Sequence, residues 1–162
     1  MVIILMGVTG AGKTTVGRLL AQQLGWQFAD ADSFHSPASI AKMKQAIPLD
    51  DAGRQPWLSA LRAAISAWLA AGSDTVLACS ALKRSYRETL KVAPAVRFVY
   101  LKASHPEIEE RLRHRPAHFA TATLLSSQFD TLEEPDDALT VDAAQPPTTI
   151  VAEIRRWIAR KP

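Results

Sequence analysis

Short apolar runs alternate along the chain with longer segments in which apolar residues recur every three or four positions. The short runs predict strands and the longer segments predict amphipathic helices. Strands are predicted at 2–6, 26–30, 75–81, 96–102 and 138–142, and helices at 14–25, 36–46, 55–72, 85–93, 104–115, 123–133 and 148–160. Strands separated by helices favour an α/β fold of three layers, with a parallel sheet covered by helices on both faces.

Residues at the ends of these segments support the predicted helix boundaries. Ser36 precedes Pro37, a pairing typical of an N-cap and the first helical position. Ser104 and Glu107 have the spacing of a capping box. Gly25 and Gly72 follow the last apolar residue of their helices and are expected to end them.

The length and composition indicate one globular domain. The 162 residues fit one domain with one core, and the 48% hydrophobic and 22% charged residues are near the averages for globular proteins.

Right-handed connections between parallel strands place the loops after residues 6, 29, 79, 101 and 142 along one edge of the sheet. A functional site is therefore expected at that edge.

Charge and cysteine content argue against several classes of partner. The net charge is +3, and the 19 Lys and Arg residues form no block of five, so neither a nucleic acid nor a membrane surface is indicated. Apolar stretches are shorter than the about 20 residues that a membrane span needs. The single cysteine cannot form an intrachain disulfide, which fits a reducing compartment. We expect a cytoplasmic protein.

The segment "GVTGAGKTT" follows the first predicted strand and leads into the first predicted helix. It fits the phosphate-binding loop G-x-x-x-x-G-K-[ST] in the structural context that this motif requires. Glycines allow backbone N–H groups to surround phosphate oxygens, Lys13 is expected to reach the β- and γ-phosphates, and the Thr14 hydroxyl to join the Mg²⁺ shell. The predicted ATP-binding residues of this loop are Gly7, Val8, Thr9, Gly10, Ala11, Gly12, Lys13, Thr14 and Thr15.

Two other classes of phosphate-loop protein are disfavoured. Residues 50–53, "DDAG", match the D-x-x-G of GTPase switches, but the chain contains no N-K-x-D for reading guanine. We interpret 50–53 as an acidic loop closed by glycine. A motor ATPase usually has an acidic residue at the end of a strand, and the predicted strand 75–81 ends without one.

Two aspartates follow the second predicted strand, beside the phosphate loop. Asp30 and Asp32 could hold Mg²⁺ through water and accept the proton of an attacking hydroxyl. The alternative is that either residue caps the following turn, a common position for aspartate. Asp32 is the stronger candidate for catalysis.

Two arginines lie four positions apart near a proline-containing loop. Arg111 and Arg115 are predicted to belong to a flap that neutralises charge on the migrating phosphoryl group and excludes water. The alternative is a solvated basic helix face paired with Glu107 and Glu110. Beside a phosphate loop we favour the flap, and expect a short lid at about residues 113–123 in a single domain of residues 1–162.

Residues 3–142 resemble the gluconate kinases, relatives of the shikimate and nucleoside-monophosphate kinases. The resemblance rests on "LMGVTGAGKTT", "DADSFH", "CSALKRSYR" and "SSQFDTLEEP" in this order. It implies ATP-dependent phosphorylation of D-gluconate at its 6-hydroxyl in sugar-acid catabolism, with Mg²⁺ as cofactor. It also implies a five-stranded parallel sheet in the order 2-3-1-4-5 and a homodimer.

The resemblance also implies roles for particular residues. Asp32 matches the aspartate near the acceptor hydroxyl, which makes it the candidate general base. His35 and Arg54 match positions that face the sugar-acid pocket, and Arg54 is suited to hold a carboxylate through two parallel hydrogen bonds. Lys83 and Arg87 would add donors to the acceptor, or they are surface charges. Arg111 and Arg115 match the flap.

The remaining polar and aromatic candidates have simpler interpretations. Trp57, Trp68 and Cys79 are predicted to be core residues, and no structural zinc site is expected. Two other functions stay open: a kinase for another hydroxy acid such as shikimate, and a nucleotide-dependent switch without an acceptor.

Overall fold

The computed structural model describes residues 1–45, 47–114 and 118–160, and the side chains of these residues except 118–122. Its elements alternate between strand and helix over most of the chain. They are β1 (Val2–Met6), α1 (Lys13–Leu24), β2 (Gln27–Asp30), a 3₁₀ turn (Ala31–Phe34), α2 (Pro37–Lys44), α3 (Asp51–Ala70), β3 (Thr75–Ala78), α4 (Arg84–Leu90), β4 (Val96–Lys102), α5 (His105–Arg113), α6 (His118–Thr131), β5 (Leu139–Asp142) and α7 (Pro147–Ala159).

The five strands form one parallel sheet in the order β2-β3-β1-β4-β5, which confirms the predicted fold. The central strand β1 pairs with β3 on one side and with β4 on the other. Parallel pairing brings the carboxyl ends of the strands to one edge, where the loops after β1, β2 and β3 meet.

Helices cover both faces of the sheet, so β1 is buried from both sides. Its five residues have no exposed surface. Ile3 and Leu5 belong to the core beneath α1 and α7, whereas Val2, Ile4 and Met6 belong to the core beneath α3 and α4. An uninterrupted apolar run is what a strand between two cores requires.

Helix α2 differs from the other helices in its packing. Its Ser36 N-cap accepts a hydrogen bond from the Ser39 N–H, and Pro37 is its first residue, as predicted. However, every residue of α2 is exposed or half-buried. This helix is therefore attached to the core more weakly than α1 or α3.

The predicted boundaries of four elements were wrong by three residues or more, among them that of α4, which ends at Leu90 rather than at 93. Helix α3 begins at Asp51 rather than at residue 55, because the Asp50 side chain caps it by accepting from the Gly53 N–H at 2.6 Å. The interpretation of 50–53 as an acidic loop was therefore wrong. Helix α6 begins at His118 rather than at 123. Strand β3 ends at Ala78 rather than at 81, since the chain turns away and Ala81 takes a φ of 45°.

The capping box that begins α5 is confirmed, with the Ser104 and Glu107 side chains each bonded to the other residue's backbone N–H. Among the described helices, none combines the length and the apolar character needed to cross a membrane.

Candidate active site

The loop between β1 and α1 has the backbone shape of a phosphate cradle. Gly7, Gly10 and Gly12 have φ values of 144°, 78° and 99°, which side-chain-bearing residues rarely adopt. A Cβ atom on Gly7 would lie 2.8 Å from the Leu101 carbonyl oxygen. Because Gly12 is the N-cap of α1, no side chain competes for the first N–H groups of the helix. Those groups and the helix dipole suit an anion.

Lys13 is folded over this loop. Its Nζ atom donates to the carbonyl oxygens of Gly7 at 3.0 Å and Val8 at 2.8 Å. Desolvation lowers the pKa of Lys13 from 10.5 to about 8, against the opposing effects of the Cys79 thiol and of the carboxylates of Asp32 and Asp30. A phosphate group beside Nζ would supply the negative charge that the loop itself lacks.

A cavity of about 610 Å³ opens at the carboxyl edge of the sheet, between the phosphate loop and helices α2, α3 and α6. We call the part of the cavity at the phosphate loop its donor end and the part beneath α2 and α3 its acceptor end. The predicted site residues that line it are Thr9, Gly10, Gly12, Lys13, Thr14, Thr15, Asp30, Asp32, His35 and Arg54. Val8 and Ala11 are buried within the loop itself.

Asp30 and Asp32 have different roles. The Asp30 Oδ1 atom accepts from the Asp32 backbone N–H at 2.9 Å, so Asp30 caps the 3₁₀ turn, as one of the two alternatives proposed. The carboxylate of Asp32 lines the cavity. Desolvation and the neighbouring Asp30 raise the pKa of Asp32, against the opposing influence of His35 and Lys13. A raised pKa makes Asp32 a better proton acceptor than an ordinary aspartate.

The acceptor end is shaped by a histidine stacked on a tryptophan. The rings of His35 and Trp57 lie 4.6 Å apart at an angle of 5°, and the Trp57 Nε1–H donates to the Ala31 carbonyl oxygen at 2.8 Å. Trp57 is in the core as predicted, and it also lines the cavity. The His35 Nδ1 atom is buried, and no residue in the described part of the chain pairs with it.

Burial lowers the pKa of His35, and the nearby Arg54 guanidinium acts in the same direction, against the opposing charge of Asp32. His35 is therefore neutral at pH 7. In this form one ring nitrogen donates and the other accepts, which suits a hydroxyl group better than a carboxylate.

Three of the predicted cationic residues are held by protein contacts. Lys83 is paired with Asp51, and its Nζ atom lies 2.9 and 3.0 Å from the two carboxylate oxygens. Arg87 is buried and donates to the carbonyl oxygens of Ala81 and Leu82 at 3.0 and 3.2 Å. Neither side chain is among those that line the cavity.

Arg111 is the third such residue. It extends from α5 and donates to the Gly10 carbonyl oxygen in the phosphate loop at 3.2 Å and to the Ala143 carbonyl oxygen. The other flap arginine, Arg115, lies outside the described residues, as does part of the predicted lid at about 113–123.

Gln128 and Tyr86 form hydrogen bonds with predicted site residues but were not themselves among the predicted ones. The Gln128 Oε1 atom, on α6, accepts from the Thr9 N–H of the phosphate loop at 2.6 Å. Tyr86, on α4, lines the cavity and bonds to both Arg54 and Asp51. Both belong to segments on which the family resemblance rests, "SSQFDTLEEP" and "CSALKRSYR". Their place in these segments was the signal in the sequence that could have identified them as site residues.

The donor atoms fit a magnesium ion carried by a nucleotide better than a metal site of the protein alone. Within the described residues, no cluster of three or more His, Cys, Asp or Glu could hold a metal ion. Thr14 and Asp32 both line the cavity. A hydroxyl and a carboxylate, completed by phosphate oxygens and water, form the shell that Mg²⁺ takes in kinases.

Similarity to known proteins is extensive. A family model described as shikimate kinase matches residues 9–159. A gluconokinase of Gluconobacter oxydans is 42% identical over 158 residues, which cover 95% of this chain and 89% of the relative. A crystal structure of a sugar kinase from Janibacter sp. matches with a TM-score of 0.89 at 42% identity, covering 97% of this chain and 93% of the other. The crystal structure of a gluconokinase from Sinorhizobium meliloti matches with a TM-score of 0.80 at 40% identity, covering 98% and 97%.

Proposed function

The chain belongs to the gluconokinase group of the shikimate kinase family, and from this premise we propose that it transfers the γ-phosphoryl group of ATP to the 6-hydroxyl of D-gluconate. Membership confirms the resemblance found in the sequence, and kinases of this kind use ATP with a divalent metal ion. The observation that carries the proposal is one cavity with a phosphate loop at one end and Asp32, His35 and Arg54 at the other.

At the donor end, the proposal assigns the triphosphate to the phosphate loop. The N–H groups at the start of α1 and the Lys13 ammonium group bind phosphate oxygens and neutralise charge that spreads over the transferred group. The Thr14 hydroxyl and the Asp32 carboxylate, directly or through water, would hold the Mg²⁺ that accompanies ATP. Bound Mg·ATP supplies the electrophilic phosphorus.

At the acceptor end, Asp32 acts as the general base. Its carboxylate accepts the proton of the 6-hydroxyl while the hydroxyl oxygen forms its bond to phosphorus and the bond to ADP breaks. Arg54 binds the gluconate carboxylate, and His35 binds a hydroxyl of the polyol chain. Because His35 is neutral, it is better suited to a hydroxyl group, and the charged Arg54 is better suited to the carboxylate.

Lys83 and Arg87 are given indirect roles. Lys83 contacts Asp51, and Arg87 contacts the carbonyl groups of residues 81 and 82. These contacts favour support of the acceptor wall, the side of the cavity that Arg54 and Tyr86 line, over direct contact with gluconate. Direct contact by either side chain stays a prediction from the resemblance.

The proposal includes four features that rest on the sequence or on the resemblance. These are a single domain of residues 1–162, a lid at about 113–123 that carries Arg115 and works with Arg111, a homodimer, and action in the cytoplasm.

A screen of acceptors tests the proposed function. ADP release is measured by a coupled assay with D-gluconate, related sugar acids and shikimate, at saturating Mg·ATP. D-gluconate is expected to give the highest kcat/KM, with 6-phosphogluconate as product. A preference for shikimate would identify a different hydroxy-acid kinase, and ATP binding with no accelerating acceptor would indicate a switch.

A further inference from the structure

The contacts around Arg54 assign a second task to the acceptor wall. We propose that Tyr86 and Lys83 hold the Asp51 carboxylate away from Arg54, so that the Arg54 guanidinium stays available for the carboxylate of the acceptor. Tyr86 and Lys83 are thus positioning residues, and this inference rests on the proposed function.

Asp51 and Arg54 have the spacing at which opposite charges pair on a helix. They lie three positions apart in the first turn of α3, and residues at this spacing are neighbours on the helix surface. Yet among the described residues no ion pair joins Arg54 to Asp51 or to any other carboxylate. The Asp51 carboxylate must therefore be bonded to other side chains.

The hydroxyl group of Tyr86 lies between the two charges. It accepts a hydrogen bond from Arg54 Nη1 at 3.0 Å and donates its proton to Asp51 Oδ1 at 2.5 Å. A phenol has one proton and can do both at once, which phenylalanine cannot. The described contacts use one of the five N–H groups of Arg54, so the guanidinium keeps donors for a carboxylate.

Lys83 supplies the positive charge that Asp51 does not take from Arg54. Its Nζ atom contacts both Asp51 carboxylate oxygens. The hydrogen bond from Tyr86 and, next, the one from Lys83 lower the pKa of Asp51. Asp51 is therefore an anion at neutral pH, and without these two partners it would compete with the acceptor for Arg54.

The experiment compares Tyr86→Phe with the double variant Tyr86→Phe/Asp51→Asn. Tyr86→Phe frees Asp51 to pair with Arg54, so KM for gluconate should rise about tenfold, equivalent to about 1.4 kcal/mol. The change in kcat and in KM for ATP should stay below about threefold, because only acceptor binding is impaired. Adding Asp51→Asn removes the competing charge and should return KM for gluconate to within about threefold of the parent value.

The other tyrosine of the chain offers a matched control. Tyr100 contacts the Glu134 carboxylate at 3.2 Å, outside the cavity, so Tyr100→Phe also removes a tyrosine–carboxylate hydrogen bond. It should leave KM for gluconate unchanged. Thermal unfolding of each variant shows whether its kinetics are those of a folded protein.

Several outcomes would overturn the inference. An unchanged KM in Tyr86→Phe contradicts it, and so does a raised KM that Asp51→Asn fails to lower, since the tyrosine would then merely support the wall. If Arg54→Met does not raise KM for gluconate, Arg54 is not the carboxylate site. If the protein prefers another carboxylate-bearing acceptor, the proposed function fails, but the same variants measured with that acceptor still decide this inference.

Discussion

In the proposed mechanism, the two ends of the cavity bind their ligands with different parts of the chain. At the phosphate end, recognition depends on backbone N–H groups placed by β1, whose residues are fully buried, and by α1. At the acceptor end it depends on the side chains of Asp32, His35 and Arg54, carried by the 3₁₀ turn after β2 and by the exposed first turns of α3, beside the lightly packed α2.

This difference indicates how each end responds to change. A backbone site is altered by substitutions that disturb the path of the main chain, and these also disturb the core. A side-chain site held by hydrogen bonds can lose one function at a time while the fold persists. The predictions below test this contrast from the largest expected effect to the smallest.

Asp32→Asn should reduce kcat by about 10²- to 10⁴-fold, because the variant cannot accept the hydroxyl proton. The turn should persist, since the Asp30 cap uses the backbone N–H of residue 32. The affinity for ATP measured by calorimetry without Mg²⁺ should change little, because the proposal connects Asp32 to the nucleotide only through the metal ion. Asp30→Asn is the matched variant: asparagine can still cap the turn, so its loss of turnover should be far smaller. Turnover near that of the parent protein in Asp32→Asn would remove Asp32 from the role of base.

Gly7→Ala should damage the phosphate end and the fold together. The φ of 144° and the approach of the new Cβ to the Leu101 carbonyl oxygen each strain the backbone, at about 1–3 kcal/mol for the dihedral alone. Urea unfolding and KM for ATP measure the two effects.

Gly72→Ala is the control for this substitution. Gly72 also has a positive φ, 67°, but a Cβ there would meet no described atom within 4 Å. It should lower the free energy of unfolding by about 1–2 kcal/mol, with KM for ATP unchanged. Equal losses of stability in the two variants would contradict the close approach at Gly7.

Trp57→Phe should affect the acceptor end alone. It removes the hydrogen bond to the Ala31 carbonyl oxygen, worth about 0.5–1.5 kcal/mol, and alters the stack with His35. KM for gluconate should rise several-fold while KM for ATP stays constant. Trp68→Phe, whose ring meets Phe34 edge-on, should change KM for gluconate less. Equal effects on both KM values would mean that the two ends are not independent.

The smallest expected effect is at the phosphate end, where ATP binding should be accompanied by the uptake of less than one proton. Because the pKa of Lys13 is about 8 without ligand, the amine is neutral in most molecules at pH 8.5. A bound phosphate group favours the charged form and restores the proton. ATP binding should therefore take up about 0.8 proton at pH 8.5 and about 0.2 at pH 7.5, measured by calorimetry in buffers of different ionisation enthalpy. Lys13→Arg should show no such increase with pH. Equal uptake at both pH values would contradict the lowered pKa.

The phosphate end could be predicted from the sequence almost completely. Its glycines, Lys13 and the apolar run of β1 lie within a few residues of one another, and local spacing determines their geometry. The position of Asp32 after the second predicted strand extended the prediction to that residue, and the resemblance extended it to His35 and Arg54. All three line the cavity.

The acceptor wall could not be predicted to the same depth. The apolar spacing predicted that α3 begins at residue 55, but the Asp50 cap begins the helix at Asp51 and places Asp51 and Arg54 on one turn. The contacts of Tyr86 with these residues join positions 35 and 32 apart in the chain, and no local pattern signals them. Likewise, the bond between Thr9 and Gln128 depends on how α6 packs against the loop.

The position of Cys79 has a practical consequence. It is the single cysteine of the chain, lines the cavity and is 1% exposed. Burial raises the pKa of its thiol to about 12, so the reactive thiolate is scarce at neutral pH. We expect the thiol to react slowly with alkylating reagents while Cys79 stays buried and faster whenever the surrounding core opens. The rate at which a reagent alkylates Cys79 would therefore measure how often the structure opens between the donor and acceptor ends of the cavity.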